Sequence, residues 1–215
     1  MSRTKNTMRN IKWGMVNKIL LIVLPFVMRT ILIKHMGSEF AGLSSLFTSI
    51  LQVLNLAELG VGSAITFSLY KPLAENDTET IRATMALYKK VYRIIGLIIL
   101  ILGLIILPFL SFFIKGNVPN GINIYILFSL YLLNTTLTYF LFAYKTILLE
   151  ANQRNDIISN VNTVLYIAQF VYQVFVIINF KNYYLYIAVL PIVTIINNIL
   201  GALYAKKMYP EYYCE

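Results

Sequence analysis

Residues 19–33 read ILLIVLPFVMRTILI, fifteen positions of which fourteen are uncharged and most strongly apolar. The exception is Arg29, four residues after Pro25. A crossing of the hydrocarbon layer needs about 20 predominantly apolar residues in a helix, and this stretch forms the centre of such a segment. The whole chain agrees with it. Of 215 residues, 59% are hydrophobic and 13% charged, where soluble domains run near half apolar and a quarter charged. A soluble core of this size could not hide so much apolar surface. An all-α integral membrane protein is therefore expected, since lipid leaves no water to satisfy an irregular backbone.

Working outward, six segments are predicted to span the membrane, at roughly 13–34, 40–70, 89–114, 121–149, 157–180 and 183–205, within one transmembrane domain over 1–215. Turn chemistry separates them. Met36-Gly37-Ser38-Glu39 follows the first span. Lys71-Pro72 ends the second, and Glu75-Asn76-Asp77-Thr78 caps an amphipathic helix, Glu79 to Lys90, that runs into the third. Residues 116–121, GNVPNG, separate the third and fourth spans, and Phe180-Lys181-Asn182-Tyr183 joins the last two tightly. The opening MSRTKNTMRNIKWG is basic and polar, and no small-residue cleavage motif follows the first apolar run. That run reads as a retained span rather than a cleaved signal.

The formal charge is +9. The cations form no basic stripe interleaved with aromatics, so no nucleic-acid partner is expected. Their placement instead sets topology. Arg3, Lys5, Arg9, Lys12, Lys71, Arg82, Lys89, Lys90, Arg93, Lys145, Arg154, Lys206 and Lys207 fall on one side of a six-span arrangement. Lys34, Lys115 and Lys181 fall on the other. The bias places both termini in the cytoplasm and the chain in the cytoplasmic membrane. Cys214 is the only cysteine and His35 the only histidine. No disulfide, metal site or cofactor is expected from them. No enzyme is expected either: Glu150 and Asp156 are the nearest acidic pair, with no histidine close by in sequence, and they read as solvated helix-end charges.

A charge at the bilayer centre costs at least about 2.5–3.5 kcal/mol on insertion scales. Lys18 and Arg29 are eleven residues apart, hence on one helix face, about 16 Å apart along the axis. Pro25 shares that face and can bend the helix. Lys18 reads either as a snorkelling headgroup contact or as a cation at a cytoplasmic entrance. Arg29 reads as the lining of an internal chamber. In the second span Ser45, Thr48, Ser49, Gln52, Asn55, Gly62, Ser63 and Thr66 share one face of a continuous helix, with Glu58 at its edge. Gln52 and Asn55 serve either as interhelical glue or as ligand surface. The fourth span adds Tyr131, Asn134, Thr138 and Lys145. The fifth adds Asn162, Tyr166, Gln169 and Gln173, and the sixth Thr194, Asn197 and Gly201. The third has nothing more polar than glycine from Ile94 to Leu110 and should face lipid or brace the bundle. Such stripes enclose a hydrated, weakly cationic chamber suited to an anionic or sugar-bearing ligand. Its expected lining is Arg29, Gln52, Asn55, Glu58, Asn134, Thr138, Gln169 and Gln173.

The segment GLSSLFTSILQVLNLAELGVGSAITFSLYKPLAEND, residues 42–77, resembles the second helix and following loop of polysaccharide flippases. These are the O-antigen and capsule repeat-unit translocases of the polysaccharide transporter family, in the multidrug, oligosaccharidyl-lipid and polysaccharide exporter superfamily. Residues 57–64 and Tyr70-Lys71-Pro72-Leu73-Ala74 carry most of the likeness, and residues 88–93 and the YPEYY ending also fit. The resemblance implies translocation of an undecaprenyl-diphosphate-linked oligosaccharide by alternating access, with the lipid tail left in the bilayer. It implies that Arg29 lines the chamber and that Pro25, Gly60 and Gly62 act as hinges. It also implies membrane lipids as partners, and polysaccharide polymerase and glycosyltransferases as functional neighbours. Family members have two lobes, and six spans correspond to the N-terminal one. The ending at residues 210–215 then reads as a cut between lobes, with a missing C-terminal lobe or a second copy as the expected partner.

Two other readings are compatible with the residues. A drug or toxin antiporter of the same superfamily would use a membrane carboxylate, for which Glu58 is the candidate. A non-transporting membrane scaffold would use the polar stripes as packing surfaces only.

Overall fold

The computed structural model describes residues 3–58, 60–116, 118–119 and 121–212. Leu59, Asn117 and Asn120 in the motifs above, Cys214, and the last residue of the YPEYY ending, Tyr213, lie outside the described residues. Among the described residues there are helices and no strands. They are α1 (Arg3–Met36), α2 (Ser38–Leu54), α3 (Val61–Glu75), α4 (Thr78–Ile106), a short α5 (Leu110–Phe113), α6 (Ile124–Phe140), α7 (Ile147–Ala151), α8 (Asn155–Phe180) and α9 (Tyr183–Met208). Short 3₁₀ turns cover Asn55–Glu58, Leu107–Phe109, Ala143–Thr146 and Pro210–Tyr212.

Four segments are long and apolar enough to cross a membrane: Gly14–Met36, Thr78–Phe113, Asn155–Phe180 and Tyr183–Met208. A fifth arises if Ile124–Phe140 and Ala143–Ala151, bent by 50°, form one crossing. The outward surface supports that role. Ile22, Phe26, Phe67 and Phe112 are each more than 70% exposed. A monomeric soluble protein rarely shows such continuous apolar surface, whereas acyl chains cover it without cost. The chain is a multi-pass, all-α membrane protein.

The second expected span departs from the sequence expectation. Residues 40–70 do not form one helix. α2 ends at Leu54, the 3₁₀ turn Asn55–Glu58 tightens the chain, and Gly60 takes a left-handed conformation (φ 85°) before α3 begins. Glycine adopts positive φ with no Cβ penalty, which lets the chain restart in a new direction here. The polar face drawn across residues 45–66 is consequently two faces on two helices. The fourth span also breaks. Phe142 is left-handed (φ 48°) without glycine's freedom, and α6 gives way to a 3₁₀ turn and α7.

Lys71-Pro72 does not end the second span either: Pro72 lies inside α3, which runs on to Glu75. At other boundaries local chemistry acts as expected. Gly37 (φ 110°) separates α1 from α2. Asp77 caps α4, accepting from Thr80 N at 3.0 Å and Thr80 Oγ1 at 2.6 Å. The Thr80 hydroxyl, then its amide, hold the Asp77 carboxyl below its ordinary range. Asn123 and Asn182 cap α6 and α9 in the same way. The amide of Asn123 donates to Tyr184 Oη at 2.6 Å, fastening these two turns together. At the opposite end Arg82 donates twice to the Glu211 carbonyl, at 3.0 and 2.7 Å.

α1 lies along α8 and also touches α2, while α9 is shared between α8 and α6, and α4 packs on α6 and α3. Near one end of the α1–α8 seam, Asn17 is buried and donates to the Ser159 carbonyl and Thr163 Oγ1, both at 3.4 Å. The third expected span both faces lipid and braces the bundle. Ile94, Leu97, Ile98 and Ile101 are exposed, while Gly96 and Gly103, two turns apart, lie against Tyr139 and Leu132 of α6.

Candidate functional site

The polar residues of these helices collect in two half-open cavities. The first, of about 490 Å³, is walled by α1, α2, α6, α8 and α9. Arg29, Ser44, Ser45, Thr48, Gln169 and Gln173 line it. The second, of about 570 Å³, lies between α3, α4, α6, the Ala143–Thr146 turn, α7, α8 and α9. It takes Glu58, Thr66, Thr138, Glu150, Asn197 and Asn198.

The helices fix how the cavities are related. On α6 the first contains Tyr131 and the second Thr138. Seven residues of helix place these about 10 Å apart along the axis. On α9 the first takes Tyr186, Ile187 and Leu190, and the second Asn197, Asn198 and Gly201. Between the two levels Thr194 Oγ1 donates to Asn134 Oδ1 at 2.7 Å, linking α9 to α6. The cavities are thus stacked along the bundle, with this bond at the level that separates them.

Their charges are opposite. The first is lined by the Arg29 guanidinium and no carboxylate; the second by Glu58 and Glu150 and no lysine, arginine or histidine. Arg29 donates from Nη1 to Ser45 Oγ at 3.2 Å, and Ser45 in turn donates to the Ala41 carbonyl at 2.9 Å. No carboxylate among the described residues pairs with Arg29. A guanidinium has five N–H donors, so most of its donor capacity stays open. Around the same cavity Tyr131 donates to Ser44 Oγ at 2.9 Å, and Tyr183 to the Phe40 carbonyl at 3.3 Å. Gln169 Nε2 reaches Gln173 Oε1 at 3.5 Å, and Gln173 Nε2 donates to the Tyr186 carbonyl at 3.2 Å.

At the break after α2, Glu58 is a point of convergence. Tyr92 of α4 donates to Glu58 Oε1, and Tyr139 of α6 donates to Oε2 at 2.6 Å. Tyr139 also reaches Asn55 Oδ1 at 3.2 Å. Tyr88 packs edge-on against Tyr92, with ring centroids 4.3 Å apart. A half-buried carboxyl group thereby ties the α2–α3 break to two neighbouring helices.

The eight residues expected to line one chamber are therefore distributed. Arg29, Gln169 and Gln173 share the first cavity, and Glu58 and Thr138 share the second. Asn55 and Asn134 make the interhelical bonds just described, and Gln52 is exposed on α2 and lines neither cavity. Lys18 is exposed next to buried Asn17. Of the expected hinges, Pro25 lies within an unbroken α1, Gly60 sits at the break and Gly62 in the first turn of α3. Of the two charges expected to be solvated, Glu150 is exposed and Asp156 is not. Glu150 borders the second cavity, and Asp156 is buried, receiving Arg154 Nε at 3.0 Å.

Sequence reasoning missed Asn17, Tyr92, Tyr139 and Asn198 as polar groups of the interior. Lys145, counted among the cations of one membrane face and also placed on the fourth span's polar stripe, is 6% exposed. Its Nζ lies 4.8 Å from the Phe142 ring centroid and 5.8 Å from that of Tyr144, a cation–π arrangement that offsets part of its desolvation. The flanking aromatics were its signal. No protein-family model matches the chain, and neither a curated protein nor a solved structure shows significant similarity to it.

Proposed function

We propose that the chain is a lipid-linked oligosaccharide flippase, or the N-terminal lobe of one. In this reading the first cavity receives the diphosphate of an undecaprenyl-diphosphate-linked oligosaccharide. The observation that carries it is Arg29: a guanidinium at a cavity wall, with one neutral partner and no opposing carboxylate. Guanidinium and phosphate pair bidentately, and the pairing gains strength away from bulk water. The serine, threonine and glutamine groups around it suit a hydrated head group. The flipping lobe has six spans, with α2 and α3 together forming the broken second one. Both termini face the cytoplasm, where the excess of lysine and arginine lies. A second lobe, either a C-terminal half or another copy, closes the path.

Complementation of a flippase-deficient strain tests this. The intact chain, with its second lobe where one exists, should restore surface polysaccharide. Arg29→Ala should reduce export on the order of 10- to 100-fold, the loss expected for one charge-assisted phosphate contact, while its level in the membrane is unchanged. Full activity of Arg29→Ala refutes the role given to this residue.

The carboxyl of Glu58 in the second cavity favours one other reading, a drug or toxin antiporter of the same superfamily. Its signature is proton- or sodium-driven efflux that disappears in Glu58→Gln. Ion-driven efflux retained by that variant dismisses it.

A further inference from the structure

Asn198 sits in the middle of α9 and is 6% exposed. Its Nδ2 is a buried amide nitrogen with no hydrogen-bond partner among the described residues. Buried donors are rarely left so, because each costs about 1–3 kcal/mol. The side chain belongs to the wall of the second cavity, which Asn197, Glu58 and Glu150 also line. Rotation about χ2 of asparagine is soft, so the amide can turn toward that space.

The chemistry of the wall narrows what would occupy it. A donor without a partner calls for an acceptor, which an organic cation lacks. The carboxylate of Glu150 calls for donors, that of Glu58 already accepts from Tyr92 and Tyr139, and with no basic residue in the wall both disfavour phosphate. A hydroxyl group meets both demands, accepting from Nδ2 and donating to a carboxylate. Several hydroxyls on one ring would meet them together, and the tyrosines at 70, 88 and 92 supply aromatic surface for the ring's apolar face. We propose that this cavity is a second ligand site, separate from the Arg29 cavity, and that it binds a neutral polyhydroxylated group through Asn198, Asn197, Glu58 and Glu150. The inference stands on the cavity wall and not on the transport reading, so the two fail separately.

The test uses the full chain in phosphatidylcholine nanodiscs and saturation-transfer NMR with maltotriose, with diglucosyl-diacylglycerol incorporated in a parallel sample. Transfer to maltotriose marks a site reached from water. Transfer to the glycolipid alone marks one reached from the bilayer. Either supports the proposal, and transfer to neither overturns it. Asn198→Leu should weaken binding about tenfold while its melting temperature holds or rises, because an orphan amide is replaced by an apolar side chain of similar length. A purely structural asparagine would give the reverse, lower stability with binding retained, and that result overturns the site. Should Asn198→Leu not fold, Glu150→Gln carries the same binding test: weaker transfer supports the site and unchanged transfer overturns it. Arg29→Ala should keep the signal, and its loss there would refute the assignment to this cavity.

Discussion

Glu58→Leu should destabilise the folded protein by about 2–4 kcal/mol, read as a shift in the detergent-unfolding or thermal-unfolding midpoint. Two phenol groups from different helices, Tyr92 and Tyr139, donate to the two oxygens of this one carboxyl. Both tyrosines are buried, so removal of the acceptor strands two hydroxyls where water reaches them poorly. In bilayers, single side-chain bonds average about 0.6 kcal/mol and reach about 1.7. The upper part of the predicted range follows from stranding two donors at once. Glu58→Gln separates geometry from charge. Its amide oxygen still accepts from one phenol, and its amide nitrogen can donate to the other after the hydroxyl rotates, so a cost below about 1.5 kcal/mol is expected. Equal stability of Glu58→Leu and the parent protein would show that the 55–60 break is held by packing alone.

The same region shows where the sequence was legible and where it was not. The composition and the apolar runs at roughly 13–34, 89–114, 157–180 and 183–205 disclose the membrane class and four crossings directly, because lipid-facing helices tolerate little else. The caps at Asp77 and the turns at Gly37 and Phe180–Tyr183 are readable, since short polar side chains and glycine have few other uses between apolar segments. The break after Leu54 hides better. Leu54, Leu56 and Val61 keep the apolar pattern running across it, and a helical reading of Gln52, Asn55 and Ser63 places them on one face. What ends the helix is tertiary: Glu58 is held from α4 and α6, by phenols 34 and 81 positions away in sequence. Phe142 has no local signal at all, as phenylalanine seldom adopts positive φ. Its conformation belongs to the bend that brings Lys145 between two aromatic rings.

The division of the polar residues into two cavities was similarly out of reach. Helical periodicity states which residues share a face, not how deep along the bundle a neighbouring side chain interrupts that face. Asn134 and Thr194 lie on the expected stripes of α6 and α9, yet they bond to each other and separate what lies above from what lies below. Asn198 was overlooked because its neighbour Asn197 fitted the stripe, and a shift of one residue turns a side chain by about 100°.

Gly96→Ala should cost about 1–3 kcal/mol through overpacking, with an effect on Glu58 that packing alone would not produce. A methyl group on Gly96 would stand 2.7 Å from Tyr139 Cβ and 3.4 Å from Phe140 Cζ. A Cβ cannot rotate away, so α4 and α6 must part. Gly103 offers the contrast: there the added methyl meets the branched tip of Leu132, which has other rotamers, and Gly103→Ala should cost less. Gly42→Ala is the control. It meets nothing within 4 Å on α2, and alanine's better helix propensity should leave stability unchanged or raise it by up to about 1 kcal/mol. Parting α4 from α6 at Tyr139 also lengthens the bond from Tyr139 to Glu58, since one side chain makes both contacts. Gly96→Ala and Glu58→Leu should therefore be sub-additive, with a coupling of at least about 0.5 kcal/mol in a double-mutant cycle. Strict additivity would mean that the glycine contact and the carboxyl contact of Tyr139 act independently, and would dissolve the mechanical link between the α4–α6 seam and the break that starts α3.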